Sequence, residues 1–129
     1  MNKTQAVARA ILPWSVLAIA VIATPAAVAQ EAPRSFAASP EVYKVIAEND
    51  KYRIIAASWA PGQRDQPHSH TSLGAYFLTD CNLRFHHEDG KTGEPKLKAG
   101  AAGAQKPVRT HWVENTGNTE CRMVIFEEK

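Results

Sequence analysis

The chain has 129 residues, the length of one domain, and carries 15 Lys and Arg against 13 Asp and Glu. Two of the basic residues, Lys3 and Arg9, lie in an apolar leader, and removing them leaves 13 basic residues against 13 acidic ones. With zero formal charge after the leader and no basic patch, nothing in the sequence predicts nucleic-acid binding.

Residues 1–29 have the order of parts found in a secretory signal peptide. A positive start is followed by an apolar run over residues 10–23, and Ala27-Val28-Ala29 offers a signal peptidase the small residues it needs. Pro25 ends any helix before this site. We predict cleavage after Ala29, which yields a periplasmic or secreted protein without membrane contact. The alternative is an uncleaved anchor, since about 20 apolar residues suffice to span a bilayer.

The remainder is predicted to be a short linker followed by one all-β domain. Residues 30–40 are rich in Ala, Pro and Ser and are predicted as a flexible linker, and the folded domain is predicted over residues 41–129. Short β-like runs are separated by turn residues, without helical periodicity of useful length, a pattern typical of a sandwich or barrel. In chain order, the predicted strands are residues 41–46, 51–59, 73–79, 83–87, 96–98, 108–114 and 121–126, with a weaker run over residues 99–106.

The two cysteines, Cys81 and Cys121, are interpreted together with the leader. An even number of cysteines in an exported chain favours one disulfide. Two free thiols are the alternative. A domain of this size buries a modest core, so we expect support from a disulfide, a metal ion or a partner subunit.

His68 and His70 lie two positions apart, so on a strand their imidazoles point to the same side. Their Cα atoms would be about 6.5–7 Å apart, which lets both rings reach one ion at about 2.0–2.1 Å. His111 is the candidate for a third ligand, from a distant strand. The pair alone is a weak signal, because the same pattern occurs on surface strands. Histidines that bind no metal are therefore the alternative.

The residues around these histidines resemble the two motifs of the cupin superfamily. The first motif is a glycine, five residues and His-x-His, and here Gly62 precedes His68-Ser69-His70 with that spacing. The second is a proline, a histidine four residues later and an asparagine four after that, matched by Pro107, His111 and Asn115. The resemblance spans nearly all of the predicted domain. It implies an all-β, single-domain cupin-type jelly-roll β-barrel.

The chain departs from the cupin motifs at the expected fourth ligand. The motif glutamate falls near Gly74 or Ala75, neither of which can bind a metal, and Arg109 replaces a glycine of the second motif. The resemblance therefore implies a site of the three histidines alone, with open positions for water or substrate. Such a site takes one divalent transition metal ion, Fe, Mn, Ni, Cu or Zn, because imidazole suits all of them.

The same resemblance implies a function that involves a small molecule. The first hypothesis is a metal-dependent oxygenase, isomerase or similar lyase acting on a small oxygenated molecule. The second is a non-catalytic binding or sensing protein for a sugar-like ligand, which is compatible with the missing glutamate. A homodimer is a further expectation that comes from the family alone.

The resemblance also bears on the cysteines. In a cupin jelly roll the His-x-His strand and the last strand are antiparallel neighbours, so the end of the first lies near the start of the second. This places Cys81 beside Cys121 and implies a disulfide that closes a loop of about 40 residues. In the chain-entropy model such a bond is worth about 3–4 kcal/mol.

Three further residues are weaker candidates for lining a pocket. Tyr76 shares the parity of His70, and His87 shares that of Phe85, so both are assigned to the inner side. Arg109, in a loop near the barrel mouth, suits an anionic group of a substrate. Core packing for Tyr76 and solvent exposure for His87 and Arg109 are the alternatives.

Overall fold

Ten strands and one short helix form residues 30–129, the part of the chain that the computed structural model describes. The predicted signal peptide, residues 1–29 with its cleavage site, lies outside the described residues. The all-β prediction is confirmed. The elements are α1 Ser35–Ala38, β1 Tyr43–Glu48, β2 Tyr52–Trp59, β3 His68–His70, β4 Leu73–Phe77, β5 Cys81–His87, β6 Thr92–Gly93, β7 Lys96–Leu97, β8 Ala102–Gln105, β9 Val108–Asn115 and β10 Cys121–Glu128.

The strands form two antiparallel sheets whose inner faces enclose the core, as in a jelly roll. The first sheet has the order β1-β2-β10-β4-β8, and the second has the order β3-β9-β5-β6, with β7 paired to β5. Alternation between buried and exposed positions is clearest in β10, where Cys121, Met123, Ile125 and Glu127 are buried. Three of these four side chains are apolar or disulfide-bonded, so the charged one, Glu127, is unusual.

Apolar side chains of both sheets fill the space between them. Ile55 of β2 and Leu83 of β5 are fully buried, and Trp59 packs edge-on against Tyr43 with ring centroids 5.3 Å apart. Each buried side chain of this kind contributes about 1.5–3 kcal/mol relative to exposure. Tyr43 also contacts the ring of His68, so the core and the histidines form one packed unit.

β9 is the strand that brings the third histidine to the other two. Its buried positions are His111, Val113 and Asn115. It pairs with β3 on one side and with β5 on the other, so His111 lies opposite His68 in one ladder and opposite His87 in the other. The register of these two ladders therefore decides which side chains surround His111.

The predicted strands are all present, with ends that differ by a few residues. The last strand runs to Glu128, two residues beyond its predicted end, because it pairs with β2 over its whole length and with β4 on the other side. This extension carries Glu127 into the buried face of the sheet. The strand formed by residues 68–70 is short, and the turn Thr71-Ser72 separates it from β4.

Cys81 and Cys121 form a disulfide with Cα atoms 5.0 Å apart, which confirms that prediction. The bond joins β5 in the second sheet to β10 in the first. One premise of the prediction is wrong, because the His-x-His strand β3 pairs with β9, whereas β10 pairs with β2 and β4. Cys81 still reaches Cys121, since it follows β4 after a short turn and opens β5.

The second half of the segment 30–40, predicted as a flexible linker, packs against the barrel. Arg34 forms a β-bridge with Ser69, and the Ser69 amide donates to the carbonyl of Pro33 at 2.8 Å. Ser39 follows the helix α1, is buried and accepts a hydrogen bond from the Gln66 amide at 2.8 Å. Ser residues are typical of flexible linkers, but here the Ser39 hydroxyl holds the segment against the residues that precede the histidine strand β3. No helix within residues 30–129 has the length and apolar character needed to cross a membrane.

We expect replacement of both cysteines by alanine to lower the free energy of unfolding by about 3–4 kcal/mol, because the bond closes a loop with a sequence separation of 40. Denaturant unfolding of the two proteins measures the difference. A reductant should destabilise the native protein by a similar amount and leave the double variant unchanged. A native protein whose unfolding midpoint does not respond to reductant would contradict this expectation.

Candidate metal site

The three histidines singled out in the sequence lie together inside the barrel. His68 and His70 come from β3 and His111 from β9, and their exposed fractions are 0%, 3% and 5%. One ring nitrogen from each lies within 4.8 Å of the other two. Imidazoles buried at such close range are arranged as metal ligands commonly are.

The hydrogen bonds behind the rings fix which nitrogens face the centre. The Nδ1 of His68 lies 2.8 Å from the carbonyl oxygen of Gln66, which only accepts, so Nδ1 carries the proton. The Nδ1 of His70 donates in the same way to Oε1 of Glu127 at 3.2 Å. Both Nε2 atoms therefore present lone pairs, and they lie 3.1 Å apart. Two nitrogen ligands of a tetrahedral zinc ion, each at its usual bond length, lie about 3.3 Å apart.

His111 adds a third nitrogen to this pair. Its ring centroid lies 4.5 Å from that of His68 and 5.2 Å from that of His70. Its Nε2 is buried and has no hydrogen-bond partner among the described residues. A buried nitrogen without a partner is costly unless something binds it. The three side chains thus fit a transition-metal ion by the chemistry of their donor atoms.

Burial keeps two of these imidazoles neutral. It lowers the pKa of His68 from 6.5 to about 4, partly opposed by the hydrogen bond to Gln66. It lowers the pKa of His111 to about 2, with further contributions from His68 and His70. Metal ions bind neutral imidazole, so no proton competes for these nitrogens at neutral pH.

Glu127 supports the site from behind His70. Its side chain is buried, and Oε1 accepts from the His70 ring and from the Thr71 amide at 3.1 Å. Burial alone would raise the pKa of Glu127, but the hydrogen bonds from His70 and Thr71 outweigh it and lower that pKa. A carboxylate behind a ligating histidine orients the ring and makes it a stronger ligand. The parity of Met123 and Ile125 would have indicated Glu127, had the last strand been predicted to extend further.

Tyr43 and Asp65 form a second buried group next to His68. The Tyr43 hydroxyl donates to Oδ2 of Asp65 at 2.7 Å and lies 3.2 Å from Nε2 of His68. Asp65 also accepts from the Val113 amide at 2.6 Å and from the Trp59 indole at 3.2 Å. Burial and the neighbouring Asp65 raise the pKa of Tyr43 well above 10, so it remains a neutral phenol. Burial likewise raises the pKa of Asp65. Neither residue was a site candidate from the sequence, because only the folded chain brings them to His68.

Tyr76 does not line the pocket, contrary to the expectation from parity. Its side chain is 50% exposed, whereas Leu73 and Phe77 of the same strand are buried. The turn Thr71-Ser72 interrupts the alternation between His70 and β4. The side-chain order is therefore reset, and Tyr76 points to the outer face of the first sheet.

A cavity inside the barrel is lined by His70 and His111, among other residues. His87 and Arg109 do not line this cavity. His87 is exposed, and its ring centroid is 6.3 Å from that of His111. Arg109 is also exposed and lines, with His87 and Lys91, a depression on the outer surface. The prediction that these two residues line the ligand pocket is therefore not met. Both side chains are exposed to solvent, which was the alternative prediction for them.

Comparison with known proteins identifies the fold. No protein-family model matches the sequence, and no curated protein matches it. A cupin domain from Bordetella pertussis is similar in structure, with a TM-score of 0.63 and 20% sequence identity over 78% of this chain and 98% of that chain. An uncharacterized conserved protein with a double-stranded β-helix domain from Klebsiella pneumoniae has a TM-score of 0.56 and 21% identity, over 67% and 75% of the two chains.

A cupin superfamily protein from Desulfitobacterium hafniense has a TM-score of 0.52 and 12% identity, again over 67% of this chain and 75% of that chain. Identities this low carry information about the fold and not about substrates. The chain has the cupin fold, which confirms the fold that the resemblance of its two motifs implied.

We expect Asp65→Ala to lower the free energy of unfolding by about 2–4 kcal/mol, since buried donors of Tyr43, Trp59 and Val113 lose their acceptor. Tyr43→Phe removes only one of these bonds and should cost about 1 kcal/mol. Urea unfolding followed by circular dichroism compares the two. The interpretation fails if Asp65→Ala is no more destabilising than Tyr43→Phe.

Proposed function

We propose that this protein is an exported cupin that binds one divalent transition metal ion through His68, His70 and His111. The observation that carries the proposal is the convergence of buried lone pairs, with the Nε2 atoms of His68 and His70 only 3.1 Å apart. His111 supports a third ligand, because one of its ring nitrogens lies within 4.8 Å of the other two and its buried Nε2 has no hydrogen-bond partner among the described residues. The identity of the ion, Fe, Mn, Ni, Cu or Zn, is left to measurement, because imidazole binds all five.

We further propose a metal-dependent oxygenase or isomerase that acts on a small molecule. When bound, the ion would supply Lewis-acid activation of a substrate oxygen or, as iron or copper, of dioxygen. Side chains around the three histidines would keep the ligand rings in position. Glu127 keeps the His70 ring oriented, and Tyr43 holds a neutral hydroxyl beside His68.

One observation favours the alternative of a non-catalytic binding protein. Asp65 accepts from three donors, and Glu127 accepts from His70 and Thr71 through Oε1 while its Oε2 has no partner among the described residues. Neither carboxylate lines the cavity beside the histidines. Neither is well placed to act as a general base. Oxygen uptake and substrate turnover by the metal-loaded protein would separate the two functions.

An extracytoplasmic location is part of the proposal. The Cys81–Cys121 disulfide is a bond that persists mainly in oxidising compartments. The signal-peptide pattern of residues 1–29 is consistent with that assignment. Periplasmic fractionation of the full-length chain, with the mass of the exported form, tests both the compartment and the cleavage after Ala29.

Metal content tests the site directly. We expect the protein, purified without a His tag and reconstituted, to bind about one ion per chain, as three-histidine sites do. His111→Ala should lower this several-fold. His86→Ala is the matched control, because His86 stacks on Trp112 on the outer face, away from the cluster. Less than about 0.1 ion per wild-type chain after reconstitution would remove the metal hypothesis.

Glu127→Gln tests the support of His70 by a carboxylate. The amide retains an acceptor oxygen but loses the charge that strengthens the histidine as a ligand. We expect the zinc affinity, measured by competition with a chromophoric chelator, to fall about 10–100-fold. Glu128→Gln is the control, since Glu128 is the next residue and is exposed. Equal zinc affinities for the two variants would remove Glu127 from the site.

A further inference from the structure

We infer that the cavity beside the histidines binds a small, mostly apolar molecule, about the size of one six-membered ring, with one oxygen donor directed at the histidines. This inference rests on the proposed function, because it names the ligand class of the same site. It narrows the two earlier hypotheses, since a sugar-like ligand and an anionic ligand are both disfavoured by the walls of the cavity.

The size of the cavity sets the size of the ligand. Its volume is about 180 Å³. An apolar cavity of about 150 Å³ in another protein is large enough to hold benzene. The walls are formed by side chains from both sheets, among them Leu73, Phe77, Phe85, Met123 and Ile125. A single ring with one small substituent therefore fills the cavity.

Three polar side chains of the lining, those of His70, His111 and Tyr43, lie next to the converging nitrogens. A further polar side chain, that of Gln105, lines the cavity from an exposed position on β8. Among the described residues that line the cavity, none is Asp, Glu, Lys or Arg. A phosphate or a polycarboxylate would have no charged partner on these walls, and most hydroxyls of a sugar would be buried without hydrogen bonds. The lining can satisfy one oxygen donor at the histidine end, and Gln105 adds a single polar side chain where the cavity meets solvent.

Residues of β8, two of them small, border the cavity where it meets solvent. Ala102, Gly103 and Gln105 line the cavity and are exposed, so the ligand can enter there. Gly103 lies opposite Ala75, which also lines the cavity, and a Cβ added at Gly103 would meet nothing within 4 Å. A longer side chain at this position would extend into the space that the ring occupies.

Ala104 provides a matched control on the same strand. It lies opposite Gly74 in the ladder, on the outer face, and does not line the cavity. Leucine at position 103 therefore fills the binding space, whereas leucine at position 104 adds a similar side chain to the surface. Both positions lie on β8, which pairs with β4 and belongs to a different sheet from the histidine strands β3 and β9. Zinc content and circular dichroism therefore check that both variants are intact.

The test is isothermal titration of the zinc-loaded protein with four probes: phenol, toluene, glucose and sulfate. We expect saturable binding of phenol at one site per chain, weaker binding of toluene because it lacks the oxygen, and no binding of glucose or sulfate. Gly103→Leu should weaken phenol binding about tenfold or more, equivalent to about 1.4 kcal/mol, and Ala104→Leu should leave it unchanged.

Two results overturn the inference: no binding of phenol by the unmodified protein, or binding of glucose or sulfate as tight as that of phenol. Because these arms use the native chain, they decide the matter even if Gly103→Leu misfolds. Phenol binding without any retained zinc would refute the proposed metal site and leave the apolar pocket standing. Retained zinc without phenol binding would refute the proposed ligand class and leave the metal site standing.

Discussion

Burying His68 and His70 with their Nε2 atoms 3.1 Å apart is unfavourable unless a positive charge lies between them, because each nitrogen presents a lone pair to the other. The tautomers cannot rearrange to relieve this, since both Nδ1 protons are held by acceptors at Gln66 and Glu127. The fold therefore keeps two nitrogen lone pairs facing each other in the interior of the barrel. The other features of the site serve to keep this arrangement in place.

Those supporting features come from parts of the chain that are distant in sequence. Glu127 reaches His70 from the last strand, 57 positions further along the chain. Tyr43, on the first strand, reaches His68 and is itself held by Asp65, whose other oxygen binds the Val113 amide of β9. Because Val113 is two residues from His111, the Asp65 carboxylate ties the strand of the third histidine to the strand of the first two.

The sequence predicted the three histidines of the candidate site but not the groups that hold them in place. His68 and His70 follow from strand parity, and His111 from its place in the second cupin motif, neither of which requires knowledge of strand register. Glu127 and Asp65 depend on register and on long-range packing, which no local pattern encodes. Parity also failed for Tyr76, because a two-residue turn separates it from the histidine strand.

The missing motif glutamate changes both the charge of the site and the wall beside it. The expected position falls at Gly74 or Ala75, and Ala75 lines the cavity with a methyl group. A divalent ion held by the three imidazoles would keep its full charge, since Glu127 and Asp65 act from behind other side chains. An oxygen donor of the ligand would then take the coordination position that a fourth protein ligand would have filled. The same substitution that leaves a coordination position open thus also makes the surrounding wall apolar, which ties the ligand class to the metal chemistry.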